Sequence, residues 1–458
     1  MTNHMKIDPS IFKAYDIRGI YPDNITSEIA YKLGQAYAAY VKPQGEVVVG
    51  NDVRLHSAEL KKKVAEGLMD CGVDVVDIGL ISTDMYYFAV GHYGFAGGIQ
   101  ASASHNPPEF HGFKMIREKV IPITFEEGIS QMRDLIIADK FEKSEKKGKL
   151  RTLNIENDYV DYTLGWLKVK KEKPMKIVIN PNFGYAGVMF KKVVEKGKLP
   201  ITLVGINENP DGTFPKGRPD PFIPENRVEI SEKVKSEKAD LGIAWDADAD
   251  RVFFAAEDGT FLEPYYLNTV LIKQMLKKFP GQKIIYDPRY TWALIDAINK
   301  NGGTPVICRV GHSYIKEKMR EENALYATES SGHTYFRDFW FADNGMIPVM
   351  QIIEFLSEND VKLSDVVRPV MNKYFISGEI NTEVKDKEGK MKEIEEKYSN
   401  GKQSKLDGIG VEYSDWRFVV RPSNTEALLR LTLEAKSKEL MEAKRDEILS
   451  IIRSENTQ

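Results

Sequence analysis

Three aspartates alternate with alanines in Asp246-Ala247-Asp248-Ala249-Asp250-Arg251, directly after the apolar run Leu241–Trp245. In an extended segment, side chains two positions apart share a side, so the three carboxylates would face one another and repel unless a cation joined them. A calcium EF-hand is the obvious alternative, because Glu257 stands twelfth when Asp246 is counted first. That loop needs glycine at its sixth position, where this chain has Arg251, and Val252 to Ala256 predicts a strand instead. Three carboxylates overneutralise a dication, which suits one magnesium ion whose other ligands include water and a phosphate oxygen. Arg251 balances part of the surplus negative charge.

A source for that phosphate oxygen stands in Gly97 to Pro108, an apolar strand running into a turn that carries Ser104 and His105. The pair invites comparison with a Ser-His hydrolase. Neighbours in an extended chain point to opposite sides, so His105 is expected to be badly placed to take the proton of Ser104, and no G-x-S-x-G elbow is present. A phosphate ester on Ser104 would carry about -1.5 to -2 charges. On the metal it would become a better phosphoryl donor. Without the aspartates, Ser104 is one polar residue in a turn; with them it is a candidate phosphoryl carrier.

Two further loops complete the set. Thr328-Glu329-Ser330-Ser331-Gly332-His333 follows the apolar strand Ala324 to Ala327. Its groups match the adjacent hydroxyls of a sugar ring: Glu329 accepts, Ser331 does either, and His333 can shuttle a proton. Arg421-Pro422-Ser423-Asn424-Thr425 lies between two late strands and offers a guanidinium fork, hydroxyls, an amide and turn N–H groups, a cradle for phosphate.

The elements that must position these loops repeat along the chain. Runs rich in β-branched residues, EVVVGND from Glu46, KIVINPN from Lys176 and KIIYDPR from Lys283, each end in a loop. After each come a helical stretch, a glycine (Gly72, Gly197, Gly302) and a second apolar strand, VDVVDIG, ITLVGIN or TPVICRV. The pattern predicts three similar α/β domains with mixed, largely parallel sheets, and three of the loops fall at carboxyl ends of strands, where such sheets bind ligands. The last ninety residues predict a smaller α+β domain whose final helix covers an antiparallel sheet. Domains are expected at 1–152, 153–258, 259–370 and 371–458. Lys385 to Lys405, full of charge, predicts a solvated helix and loop.

Composition excludes several classes. Apolar residues at 42% can pack cores in a 458-residue chain, so extensive disorder is not expected. A net charge of -4 supplies no basic field for nucleic acid. The opening MTNHMKIDPS lacks a signal-peptide core and no window approaches a membrane span, so a cytoplasmic protein is expected, without nucleic-acid or membrane partners. Cys71 and Cys308 have no metal or redox spacing and are expected to be buried thiols. Oligomeric state is not legible.

Together these loops resemble the phosphohexomutases, specifically the phosphomannomutase and phosphoglucomutase group, over nearly the whole chain. The family's T-A-S-H-N-P phosphoserine loop is matched by Ser102 to Pro107, its D-G-D-G-D-R metal loop by Asp246 to Arg251, its G-E-M-S-G-H sugar loop by Thr328 to His333, and its R-x-S-N-T phosphate loop by Arg421 to Thr425. Phe12 to Gly19 looks like the family's start, which implies Tyr15 and Arg18 at the site. Lys114, His312 and Arg289 likewise fall where the family has active-site residues. Ser102, Thr328, Ala427 and Arg289 replace the more usual threonine, glycine, proline and lysine.

The resemblance implies four domains around one central cleft and a mechanism in which phosphoserine 104 donates to a hexose monophosphate. A hexose 1,6-bisphosphate then turns over and returns its other phosphate. Metal ligands would be Ser104, Asp246, Asp248 and Asp250. Arg18, Lys114, Arg251 and His333 would serve catalysis; Tyr15, His105, Arg289, His312, Glu329, Ser331, Arg421, Ser423, Asn424 and Thr425 would bind substrate. Mannose phosphates are expected, with glucose phosphates also used. The AYDIRG start, and Ser330 where phosphoglucosamine mutases carry glutamine, point away from the amino sugar. A phosphatase and a catalytically silent sugar-phosphate sensor are the alternatives of other classes.

Overall fold

The computed structural model describes residues 7–169, 173–423 and 427–454. The chain divides into two compact units, Met1–Leu262 with Ser331–Lys362, and Glu263–Ser330 with Leu363–Gln458.

The first unit holds two α/β sheets. In one, the strands run in the order Ile17–Ile20, Phe110–Arg117, Gly97–Ala101, Val47–Asn51, Val75–Leu80 and Leu150–Thr152. Val47–Asn51 pairs in parallel with Val75–Leu80 and Gly97–Ala101 and is buried along its whole length. That is the signature of a strand covered by helices on both faces, and it explains a continuous apolar run where an alternating one would leave a wet face. In the other, Met175–Asn180 pairs in parallel with Ile201–Gly205 and Leu241–Trp245, and Val252–Ala256 returns antiparallel. Residues 331–362 are tied to this unit by the helix Ile347–Glu358. There Gln351 Nε2 donates to the Trp166 carbonyl at 2.9 Å, and Glu354 Oε2 accepts from the Lys168 N–H at 2.6 Å.

In the second unit Lys283–Tyr286 pairs in parallel with Thr304–Ile307 and Tyr326–Thr328. All three expected strand-helix-strand repeats are therefore present as parallel pairs. The C-terminal sheet is antiparallel, with Leu428–Ala435 between Phe375–Ile376 and Trp416–Pro422. The helix Lys438–Arg453 covers it, starting where the Ser437 side chain accepts from the Leu440 N–H at 3.2 Å. Its Met441, Ile448, Leu449 and Ile452 recur at helical spacing and are buried, each contributing about 1.5–3 kcal/mol of apolar burial.

Two sequence expectations change. The charged stretch contains the helix Lys387–Lys397 but ends in a strand, Lys402–Ser404, paired with Ile409–Glu412. Cys308 is buried and Cys71 only half-buried, because Cys71 stands at the end of the helix Ser57–Asp70; both thiols are free. Among the described residues no helix is long and apolar enough to cross a membrane.

Candidate active site

The strand Gly97–Ala101 delivers the chain to a loop that is held by its carbonyls. Arg54, 2% exposed, donates through its two terminal nitrogens to the carbonyls of Ser104 (2.7 Å), Asn106 (2.6 Å), Pro107 (2.7 Å) and Phe110 (2.9 Å). Asp52 lies 3.4 Å from its Nε, and its guanidinium sits 5.0 Å from the Phe214 ring centre. Arg18, ion-paired with Asp16 at 2.7 Å, donates to the Ala103 carbonyl and to Asn106 Oδ1. Arg218 Nε donates to the His105 carbonyl at 3.0 Å.

Three arginines on consecutive carbonyls force an unusual backbone: Ser104 has φ 48°, in the left-handed region that costs a non-glycine residue free energy. This overturns the expectation for His105. Ser104 is not extended, so its neighbour's ring is not sent to the opposite side, and His105 Nδ1 lies 3.2 Å from Ser104 Oγ. The hydroxyl donates to Asp246 Oδ2 at 3.0 Å and is buried.

Asp246, Asp248 and Asp250 each place a carboxylate oxygen within 4.8 Å of the others. They converge through a turn and not through an extended run, since Ala249 has φ 59°. Asp248 Oδ2 accepts from Lys114 Nζ (2.7 Å), Thr83 Oγ1 (2.7 Å) and Ser102 Oγ (2.9 Å). Lys114, on the strand Phe110–Arg117, donates to Asp250 as well. Among the described residues Asp248 Oδ1, although buried, has no hydrogen-bond partner. Burial, with the charges of Asp250 and Asp248 beside it, pushes Asp246 well above the usual carboxylate range. For Asp250 burial works upward too, but Lys114 and His333 outweigh it and hold that carboxyl well below the usual range. For Lys114 burial works downward, and Asp248 and Asp250 outweigh it, so the ammonium is held charged. A buried, convergent, all-oxygen donor set with an unused oxygen fits a hard dication.

Arg251 Nε lies 3.4 Å from Asp246 Oδ2, and its Nη1 3.7 Å from Asp220. The Val252 N–H donates to the Gly332 carbonyl at 3.4 Å, which brings the second half of the sugar loop to the metal loop within the first unit. There His333 Nε2 lies 3.5 Å from Asp250 Oδ1 and its Nδ1 3.0 Å from Ser331 Oγ. His333 also shares a cluster with Asp250 and the buried Asp343. Tyr15 is half-buried in the bend before Ile17–Ile20.

The second unit carries the other candidates. Asp287, at the end of Lys283–Tyr286, accepts from the Arg289 N–H (2.8 Å), the Arg289 guanidinium and the Ser330 N–H (2.7 Å). Arg289 in turn reaches Glu329 Oε1 at 3.3 Å. The backbone there is pinned by Arg417, which donates to the Pro288 carbonyl (2.8 Å), the Arg289 carbonyl (3.2 Å) and Glu434 (2.8 Å). His312 opens the helix His312–Glu322. Arg421, next to last in the strand Trp416–Pro422, donates to Glu379 at 2.7 Å and Asp407 at 3.3 Å. The Ser423 carbonyl accepts from Lys387 Nζ at 2.9 Å. Asn424 and Thr425 lie outside the described residues.

Sequence reasoning missed Arg54, Arg218, Thr83, Asp287 and Glu379. Arg54 and Asp287 had a usable signal, since each stands in the first residues after a repeated buried strand, where ligand loops gather.

Profiles of four domain families match in order: phosphoglucomutase/phosphomannomutase alpha/beta/alpha domain I over residues 9–142, domain II over 157–259, domain III over 263–374 and the C-terminal domain over 379–451. The chain is 40% identical over 451 residues to a phosphomannomutase of Escherichia coli, covering 96% of this chain and 99% of that one. It is 41% identical over 447 residues to a protein of Xanthomonas campestris described as phosphohexose mutases, covering 96% and 99%. A crystal structure of a phosphoglucomutase/phosphomannomutase family protein from Burkholderia thailandensis superposes with a TM-score of 0.88 at 31% identity, covering 98% of each chain. The chain belongs to the phosphoglucomutase/phosphomannomutase family of phosphoryl-transferring isomerases, with three α/β domains and a C-terminal domain.

Proposed function

We propose that the protein interconverts hexose 6-phosphates and hexose 1-phosphates through a phosphorylated Ser104 and a hexose 1,6-bisphosphate, with mannose phosphates preferred and glucose phosphates also used. The observation that carries this reading is the Ser104 hydroxyl 3.0 Å from Asp246 within a buried cluster of three carboxylates. Asp246, Asp248, Asp250 and an oxygen of phosphorylated Ser104 would hold one magnesium ion, which draws charge from the phosphoryl group and makes it a better donor.

In the proposed exchange the bond from phosphorus to Ser104 Oγ breaks as a bond to the sugar oxygen forms, and that hydroxyl gives up its proton. Of Arg18, Lys114 and His333, we assign the proton to His333. Lys114 is held charged by its two aspartates, and a guanidinium does not deprotonate, whereas an imidazole in its neutral form can accept. Lys114, Arg18 and Arg251 balance the charge in flight. Glu329 and Ser331 hold adjacent ring hydroxyls, Arg421, Ser423, Asn424 and Thr425 grip the distal phosphate, and Tyr15, His105, Arg289 and His312 complete the contacts. Mannose and glucose differ at the 2-hydroxyl, which Glu329 and Ser331 need not touch. We place the enzyme in the cytoplasm, divided at 1–152, 153–258, 259–370 and 371–458.

Removing Ser104 tests the proposal. Ser104→Ala is expected to lose mutase activity and the extra mass of one phosphoryl group on the intact chain; turnover at the parent rate would sink it. Release of inorganic phosphate without isomerisation would indicate a phosphatase. Comparing kcat/KM on mannose 1-phosphate, glucose 1-phosphate and glucosamine 1-phosphate tests the substrate, and a preference for the amino sugar would refute the assignment.

A further inference from the structure

Arg421 and Arg430 are register partners on the adjacent antiparallel strands Trp416–Pro422 and Leu428–Ala435. Like charges directly opposite across strands repel, so the pair calls for an anion. Glu379 supplies it. Its Oε2 lies 2.7 Å from Arg421 Nη2 and 3.7 Å from Arg289 Nη1, and its Oε1 lies 3.5 Å from Arg430 Nη1. One carboxylate thus stands among three guanidinium groups delivered by three separate segments. It does not satisfy them: among the described residues, the buried Nε of Arg421 and of Arg430 find no hydrogen-bond partner. Both nitrogens are buried, so these two donors have little access to water either. A tetrahedral dianion, with more charge and more acceptor oxygens than a carboxylate, fits the set better.

The segment that carries Glu379 is anchored on both sides. Ser377 is fastened to the strand Leu428–Ala435, its N–H donating to the Leu433 carbonyl and its Oγ accepting from the Leu433 N–H, each at 2.9 Å. On the other side Ile380 begins a strand paired with the same partner. Between them Gly378 has φ +71°, a conformation open to glycine, and an added Cβ there would meet nothing within 4 Å. Exchange therefore needs no more than a change of rotamer at Glu379, with the sheet anchors on either side left in place.

We propose that Glu379 is a resident anion that occupies the phosphate position of the cradle and is exchanged for the phosphate of the substrate. This rests on the proposed reading of Arg421 as a phosphate ligand. In a reaction whose intermediate must release one phosphate and present the other, a carboxylate that recaptures the guanidinium groups speeds each release. Affinity for phosphate is thereby held down in favour of turnover.

The test measures inorganic phosphate binding by calorimetry on the full, metal-free chain, together with KM and kcat of the metal-loaded enzyme. Glu379→Gln is expected to tighten phosphate about fivefold, the scale of losing one competing ion-pair partner, and to lower KM and kcat together. Glu379→Asp, whose carboxylate is a methylene shorter, should tighten it less. Asp407→Asn, which removes only the longer ion pair of Arg421, at 3.3 Å, and none of Arg289 or Arg430, should tighten it by less than twofold. Weaker phosphate binding in Glu379→Gln would show a residue that merely aligns Arg421 and would overturn the inference, as would equal tightening in Asp407→Asn, a general field effect. If Arg421→Ala left phosphate affinity unchanged, the cradle reading itself would fall, and this inference with it.

Discussion

The two charge-dense regions of the molecule are opposites. Around Ser104 the metal loop gathers Asp246, Asp248 and Asp250 against Lys114 and Arg251, and the shortfall of positive charge shows in the raised Asp246 carboxyl and the idle Asp248 Oδ1. Around Arg421 the guanidinium groups already have carboxylate partners in Glu379, Asp407 and Asp287, yet among the described residues keep N–H donors without a partner at Arg421 and Arg430. On the proposed mechanism one site must gain an ion to become competent. The other must exchange an ion it already has, which makes binding there a competition, and competition is easier to reverse.

Breaking the first site should cost the most. Removing the metal with a chelator, or changing Asp248→Asn, is expected to lower kcat by about a thousandfold or more, since the several kcal/mol of charge stabilisation it supplies convert at 1.4 kcal/mol per decade. Steady-state rates with magnesium titrated back would check this, and an Asp248→Asn enzyme of parental activity would remove the metal from the scheme. Next comes the scaffold of the nucleophile loop. Arg54→Lys keeps the charge but cannot bond four carbonyls in one plane, so a displacement of Ser104 of about 1 Å should cost about a hundredfold in kcat. Substrate KM should move little, and phosphate binding at the Arg421 site should be unchanged.

A stability measurement separates burial from metal chemistry. Burial raises the Asp84 carboxyl to about 6, although Ser82, Tyr159 and the Met85 N–H all donate to it. Its folded pKa stands above an unfolded value of about 3.9, so the folded state keeps a proton that the unfolded chain has already released. The stabilising contribution is full below about pH 4 and is lost as pH rises through about 6, worth about 3 kcal/mol in all. Thermal midpoints of the parent and of Asp84→Asn across that range should converge at low pH and separate as pH rises, the asparagine protein being the flatter curve. Parallel curves would mean that Asp84 does not titrate there.

Most of the first site and half of the second were legible in the sequence, for a physical reason. Aspartates at alternate positions after a buried strand, or a serine and histidine in a turn after another, announce chemistry by type and spacing. What stayed hidden acts through the backbone or across long separations. Arg54 bonds carbonyls, and every residue has a carbonyl, so no residue type fifty positions away marks the contact. The same bonds impose the left-handed Ser104 that defeated the prediction for His105, a tertiary override that local periodicity does not record. Glu379 is hidden differently: a lone acidic residue after a serine and a glycine looks like part of a solvated turn until the fold shows which arginines it faces. The strand Lys402–Ser404 escaped because all of its residues are exposed, leaving no alternation to read.

Ser104 is only 2% exposed, and on the proposed mechanism this governs how the enzyme behaves as a preparation. A phosphate carried at so secluded an oxygen is expected to outlast dilution and dialysis, so that each purified molecule stays either charged or discharged. A purified sample is then two populations with one sequence, separable by intact mass. Its progress curves begin with a lag whose length records the discharged fraction and which a trace of bisphosphate abolishes.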